Sequence, residues 1–377
     1  MSGGRVGTKA VERDGMNWCD GITRLLPRPR ALLLVVAFGW SSPGEVSAQA
    51  PATPVQSGAG SKLPVASAEA TSARTPAVIV VVGAAGSDEF REPFRQWAGR
   101  WVKGAERAKV GSVVIGLDEQ SEAIGKAGES DRSRLQKELS RGAERSENPL
   151  WAVLIGHGTF DGKTARFNLR GEDVTAADLR EWLRPMKRPV ALINCSSASA
   201  PFLTELSAAD ERVVISATRS GSEFNFARFG DALSSAISEG AADLDKDEQA
   251  SLLEAFLYAS AQTAEFYSSD TRLQTEHALL DDNGDKLGTP SEFFQGLRAT
   301  KTAKSGAKPD GALASRFILI PSEREAGLSP ETRAKRDELE KELARIRGMK
   351  GELPEEEYWH RVEGVVAAIA RLYASRN

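Results

Sequence analysis

Two residues with nucleophilic or general-base chemistry close successive apolar runs. His157 ends "LWAVLIGH" and Cys195 ends "PVALINC". A thiol of ordinary pKa is mostly protonated at neutral pH, and a neighbouring imidazole raises its thiolate fraction. Gly156 and Gly158 flank the histidine and suit a turn that a substrate backbone approaches closely. The backbone N–H groups of Gly158 and Cys195 are then the expected donors to the oxygen of a tetrahedral intermediate. The competing reading takes Cys195 as a small packing residue and His157 as an ordinary polar one.

A second constellation is "DLDKDEQASLLE" (243–254). Asp243, Asp245 and Asp247, a carbonyl at Gln249, Ser251 at the ninth place and Glu254 at the twelfth follow the spacing of a Ca²⁺-binding EF-hand loop. The sixth place holds Glu248 where such loops carry glycine. The alternative is an acidic loop that caps the next helix. A cation here would brace the domain, and catalysis through Cys195 needs no cofactor. In "TEHALLDDNGDKLG" (275–288), Asp281, Asp282, Asn283 and Asp285 surround Gly284 and read as a tight turn rather than a metal site. His277, beside Glu276, is a competing imidazole without the strand-end setting of His157, and His360 lies in the tail.

These residues need a scaffold. "AVIVVVGAA" (77–85), "SVVIGLD" (112–118), "LWAVLIGHG" (150–158), "PVALINCSS" (189–197) and "ERVVISAT" (211–218) read as strands buried on both faces. Between them run amphipathic stretches: one with Phe90, Phe94, Trp97 and Trp101 on a face and Pro93 in its first turn, another over 131–144. A hairpin is expected across "TFDGKTARFNL". A further helix opens at Thr175, where Asp178 completes a capping-box pattern. Helices follow near 230–240 and 251–267, with a late strand at "ASRFILIP" (314–321) and a mobile loop at 297–313. The pattern predicts an α/β fold with a mostly parallel sheet covered by helices on both faces. The tail from Ser329 reads as an antiparallel helical hairpin interrupted at Gly351 and Pro354. Its apolar faces pair with each other or with a helical partner.

At these residues the chain resembles the caspase-like cysteine peptidases, the legumain-like members above all. The likeness rests on "LIGHG", on "LINCSS" with Cys195 following His157 by 38 residues, and on "ISATRSGSEFNFARFGDALSSAI" (215–237). The likeness covers roughly residues 77–290 and implies a caspase-like three-layer fold for the domain expected over 77–328, ahead of the hairpin expected at 329–377. It also implies Cys195 as nucleophile, His157 as general base, and the Gly158 and Cys195 amides as oxyanion hole. Ser216, Ser220 and Glu223 would border the substrate pocket. The implied activity is an endopeptidase acting on protein or peptide through an acyl-enzyme. Residues Ile193-Asn194 before the cysteine and the serines after it depart from the family's pattern. They support the other reading, a catalytically silent caspase-like domain used for binding in the cell envelope.

Arg24, Arg28 and Arg30 precede "ALLLVVAFGW" (31–40), and small residues follow at Val46-Ser47-Ala48. That order is a secretory signal, with cleavage expected after Ala48 and translation starting at Met16; an uncleaved anchor is the alternative. Residues 49–76 form a Pro-containing tether without apolar period. The expected product is exported, periplasmic or extracellular and not membrane-embedded, with Cys195 as its single thiol because Cys19 is removed. Of 377 residues, 41% are hydrophobic and 27% charged, with a net charge of −4. That balance fits a globular protein, and without a basic stripe no nucleic-acid partner is expected.

Overall fold

The computed structural model describes residues 76–374, apart from 118–128, 145, 147, 210, 270, 304 and 305. The expected leader at 1–48 and all of the tether but Pro76 lie outside the described residues. No described helix is long and apolar enough to cross a membrane.

Five strands form a parallel core: β1 (Val78–Val82), β2 (Ser112–Ile115), β3 (Leu150–Ile155), β7 (Val190–Asn194) and β8 (Arg212–Ser216). They pair in the order β2-β1-β3-β7-β8. Their residues are apolar on both faces because helices cover both. Two short antiparallel strands, β9 (Leu279–Asp281) and β10 (Thr289–Pro290), extend the edge beyond β8. Between β3 and the next helix, β4 (Gly158–Phe160), β5 (Ala165–Phe167) and β6 (Val174–Thr175) make a separate three-stranded antiparallel sheet. The hairpin expected there is its β4–β5 half.

Side-chain alternation divides the interior into two cores. On one face, Val80, Val153, Ile193 and Ile215 meet α1 (Asp88–Arg107), α5 (Phe229–Glu239) and α6 (Leu252–Ser269). On the other, Ile79, Leu154, Leu192 and Val214 meet α2 (Asp131–Arg141), α3 (Ala176–Leu183) and α4 (Ala200–Leu206). Full burial of each such side chain is worth about 1.5–3 kcal/mol. The expected α/β architecture with three layers is therefore present.

Local signals locate several helix ends. Thr175 Oγ1 accepts the Asp178 amide while the Asp178 carboxylate accepts the Thr175 amide, which closes the capping box. After α7 (Glu323–Ala326), Ser329 caps α8 (Pro330–Gly348), which packs on α9 (Glu355–Ala374) as the expected hairpin. Arg336 and Tyr373 of the hairpin both bond to Glu325 of α7.

Three expectations change. Helix α1 opens at Asp88, so Pro93 sits in its second turn, where the first turn's unsatisfied amides have already passed. Residues 314–321 are not a strand: a 3₁₀ turn at Ala314–Arg316 leads to a single bridge between Ile318 and Ser251. That stretch spends Phe317 and Leu319 on the core beside α6 instead. Residues 306–313, within the expected mobile loop, are pinned by Asp310, whose Oδ1 accepts the Asp282 and Asn283 amides.

The capping box predicts that Thr175→Ala lowers unfolding free energy by about 1 kcal/mol. Denaturant titration checks it: Thr175→Ala/Asp178→Ala should cost less than the sum of the single changes, because each removes the same reciprocal pair.

Candidate functional site

Strands β3 and β7 run side by side, with Leu154 opposite Asn194, so His157 and Cys195 both lie at carboxyl ends of neighbouring strands. Ligand-binding residues of open parallel sheets gather there. The two side chains nevertheless have different surroundings.

Cys195 is only 1% exposed and belongs to the core shared by α1 and α5. A Cβ placed on Gly230 would sit 2.8 Å from the Cys195 Cβ, 3.1 Å from its Sγ and 3.1 Å from Trp97 Cε3. The first turn of α5 thus closes directly over the thiol, and only glycine permits that approach. Burial pushes the Cys195 thiol far up, with the Glu276 charge adding to it. Glu276 is itself buried because its carboxylate accepts the Arg228 and Phe229 amides at the start of α5. The protonated thiol is the stable form in this setting.

His157 is half-buried among aromatic rings. Its ring stands edge-on to Phe90 at 4.8 Å and to Phe94 at 5.3 Å, with Phe226 at 6.1 Å. Its Nε2 lies 3.2 Å from the Ala85 carbonyl oxygen. Burial lowers its pKa, and the Ala85 bond opposes that only in part. A neutral imidazole turned toward the β1–α1 loop is the result.

Both expected oxyanion donors are committed elsewhere. The Cys195 N–H donates to Leu154 O at 2.9 Å as a rung of the β3–β7 ladder. The Gly158 N–H donates to Ser197 Oγ at 3.2 Å, and that hydroxyl donates to Gly158 O. Around them lies a buried polar loop. Ser196 Oγ donates to Asn194 Oδ1 at 2.7 Å, and Ala198 stands at φ 51 with its amide on Glu223 O. A Cβ on Gly158 would lie 2.8 Å from Ser196 Oγ and 2.3 Å from Ser197 O. The side chain closest to Gly158 is therefore a serine. Asn194 Nδ2 has no partner among the described residues.

The expected pocket residues separate. Ser216 is fully buried, follows Val214 by two along β8 and so faces away from Cys195; its hydroxyl donates to Thr218 O. That placement removes it from any pocket shared with the thiol. Ser220 accepts the Ser222 amide in the loop beyond β8. Glu223 accepts the Arg219 and His277 amides and lies 2.7 Å from His277 Nδ1. The pairing of His277 with a carboxylate 54 residues away has no local sequence signal.

At 243–254, Asp243, Asp245 and Asp247 bring carboxylate oxygens within 4.8 Å of one another. Burial, then the Asp247 and Glu254 charges, raise Asp245 to about 6. Glu248 takes the left-handed conformation, φ 73, that glycine normally supplies at that place. Glu254 departs from the expected ligand set: it accepts the Leu244 and Asp245 amides and the Ser251 amide and hydroxyl. Gln249 is buried and bridges Asp247 to the Ser322 amide.

The acidic turn after β9 is also structural. Asp282 Oδ2 accepts the Leu313 and Ala314 amides, Thr289 donates to Asp310, and Asp281 accepts from Ser207 and Gly284. Burial, with the nearby Asp282 and Asp281 charges, pushes Asp310 up to about 7 against its hydrogen bonds.

No family model matches the chain, and no curated protein is significantly similar to it.

The folded state holds the Asp310 proton more tightly than the unfolded chain does. Stability from this group is therefore complete below about pH 4 and falls through about pH 7, by on the order of 1 kcal/mol per pH unit. Urea titrations at about pH 5 and about pH 8 check this. Asp310→Asn should flatten the difference, and an unchanged slope in that variant would remove Asp310 as its source.

Proposed function

We propose that this chain is a caspase-like α/β domain that works by binding, with its thiol chemistry silent. The observation that carries the reading is the Cys195 environment: a thiol roofed by Gly230 and Trp97, raised by burial, with its own amide used in the sheet. A nucleophile needs access and a stabilised thiolate, and Cys195 has neither. The mostly parallel sheet between two helical layers, with His157 and Cys195 at the ends of neighbouring strands, supports the caspase-like assignment. Export to the periplasm or the cell exterior, inferred from the leader, fits a protein that keeps a protonated thiol inside its core.

A second reading, the cysteine endopeptidase, draws on one observation: His157 and Cys195 end neighbouring parallel strands. It requires α5 to lift off the thiol and the serine loop to release the Gly158 amide. Alkylation with iodoacetamide, followed by peptide mapping to separate Cys195 from Cys19, decides between the two. The binding reading expects native Cys195 to react at least about 100-fold slower than the unfolded chain, with no change in His157→Ala. Rapid native labelling that His157→Ala abolishes would establish the peptidase reading instead.

The three clustered aspartates support a structural Ca²⁺ reading for 243–254. Added Ca²⁺ should raise the melting temperature above about pH 6, where Asp245 is ionised, and Asp243→Asn should abolish the rise. Equal shifts in both proteins would assign the effect to another site.

A further inference from the structure

The tail hairpin carries an apolar face that its own fold does not cover. Along α9, Trp359, Val362, Val366 and Ile369 follow one another by three, four and three residues. That spacing places them on one stripe of the helix. Trp359 is 51% exposed and Val366 45%, while Val362 and Ile369 are half-buried.

A second row lies beside the first. Tyr358, Val365 and Leu372 recur every seven residues, and of these Tyr358 is buried. Helix α8 packs on α9, yet two adjacent apolar rows are wider than one antiparallel neighbour covers. Tyr373 continues the stripe, but α7 holds it: its hydroxyl bonds to Glu325 and Arg324 lies 4.3 Å over its ring. At the loop end, the Lys350 ammonium sits 5.5 Å from the Trp359 ring. Between these limits about three turns of the stripe stay open.

Charge says what fits there. Glu355 stands one turn before Trp359, in line with the stripe, and Glu356 and Glu363 run along its edge. All three are exposed, and none makes an ion pair among the described residues. Their neighbour Glu357 is instead used by Arg361. The positive end of the helix dipole accounts for Glu355 and Glu356 in the first turn, whereas Glu363 lies beyond its reach. Two α9 helices paired antiparallel about Val366 would set Glu363 at the level of its counterpart, like charge against like. An anionic membrane meets the same repulsion.

We propose that the open face of α9 docks a basic amphipathic helix of a partner protein. Its apolar residues would lie on Trp359, Val362, Val366 and Ile369, and its Lys or Arg side chains beside Glu355, Glu356 and Glu363. The proposal rests on the binding reading of the chain and names its partner class. A helix laid on such a stripe takes its affinity from the buried apolar and aromatic anchors. The charged edge selects the sign of the partner and its orientation, and adds less to affinity because it stays in solvent.

Fluorescence anisotropy tests it, with the full chain titrated into a dye-labelled synthetic amphipathic helix of about five turns built from Leu and Lys. A helix of the same pattern built from Leu and Glu runs in parallel. The expected result at physiological salt is saturable one-site binding of the Leu/Lys helix, at least about tenfold tighter than the Leu/Glu helix. Val366→Asp should weaken the Leu/Lys helix about tenfold or more with the melting temperature unchanged, since Val366 is exposed. That variant adds a negative charge, so a purely ionic attraction would tighten instead. Glu356→Lys/Glu363→Lys should reverse the preference between the two helices. Absence of saturable binding, equal affinity for both helices, or undiminished affinity in Val366→Asp would each overturn the proposal. A dimer of the chain that Val366→Asp disperses would also overturn it, with a second copy as the occupant. Cys195 labelling is read separately. A reactive Cys195 with intact Leu/Lys binding would sink the silent-thiol reading alone, and an inert Cys195 without such binding would sink the docking face alone.

Discussion

The contact on which the arrangement turns is the closure of α5 over the end of β7. Gly230 brings the helix backbone against Cys195, and Trp97 of α1 fills the remaining side of that contact. Any larger residue at position 230 would force α5 outward and open the core shared by α1, α5 and α6. The same closure fixes the chemistry. A thiol packed that tightly loses solvation of its anion, and a negative Glu276 nearby makes the anion costlier still. The close approach at Gly230 and the protonated state of Cys195 are one feature.

Much of the architecture was legible because it depends on local pattern. Continuous apolar runs separated by amphipathic stretches gave the parallel sheet, a reciprocal capping pair gave the helix start at Thr175, and Ser329-Pro330-Glu331 gave the one at Ser329. What escaped was direction. Alternation along β7 puts Cys195 on the face of Ile193, beneath α5, whereas Ser216 takes the opposite face on β8. Reading strand ends as reactive ignores which layer each side chain enters. A signal was present in the glycine at 230, two residues into an apolar helix, since a glycine there marks close approach to something.

The acidic segments show a related lesson. Spacing suggested that Glu254 would join Asp243, Asp245 and Asp247, and the three aspartates do cluster. Glu254 instead serves the amides of the loop and of α6, a demand that spacing alone cannot separate from ligation. Asp282 and Asp310 meet across 28 residues, so neither announced its partner. Likewise, the His277–Glu223 pair comes from distant segments that only the fold assembles.

Helix α5 takes its amino-terminal acceptor from Glu276, 48 residues downstream of Arg228. A helix capped by its own neighbour can nucleate early, but this one lacks its cap until the chain has passed through α6 and turned back toward β9. Closing a loop of that length carries an entropy cost that local helix formation does not face. The helix over Cys195 thus owes its amino-terminal cap to a non-local contact, unlike α3, whose cap is local at Thr175 and Asp178. The thiol's cover and the acceptor that steadies it come from opposite sides of α6 in the chain.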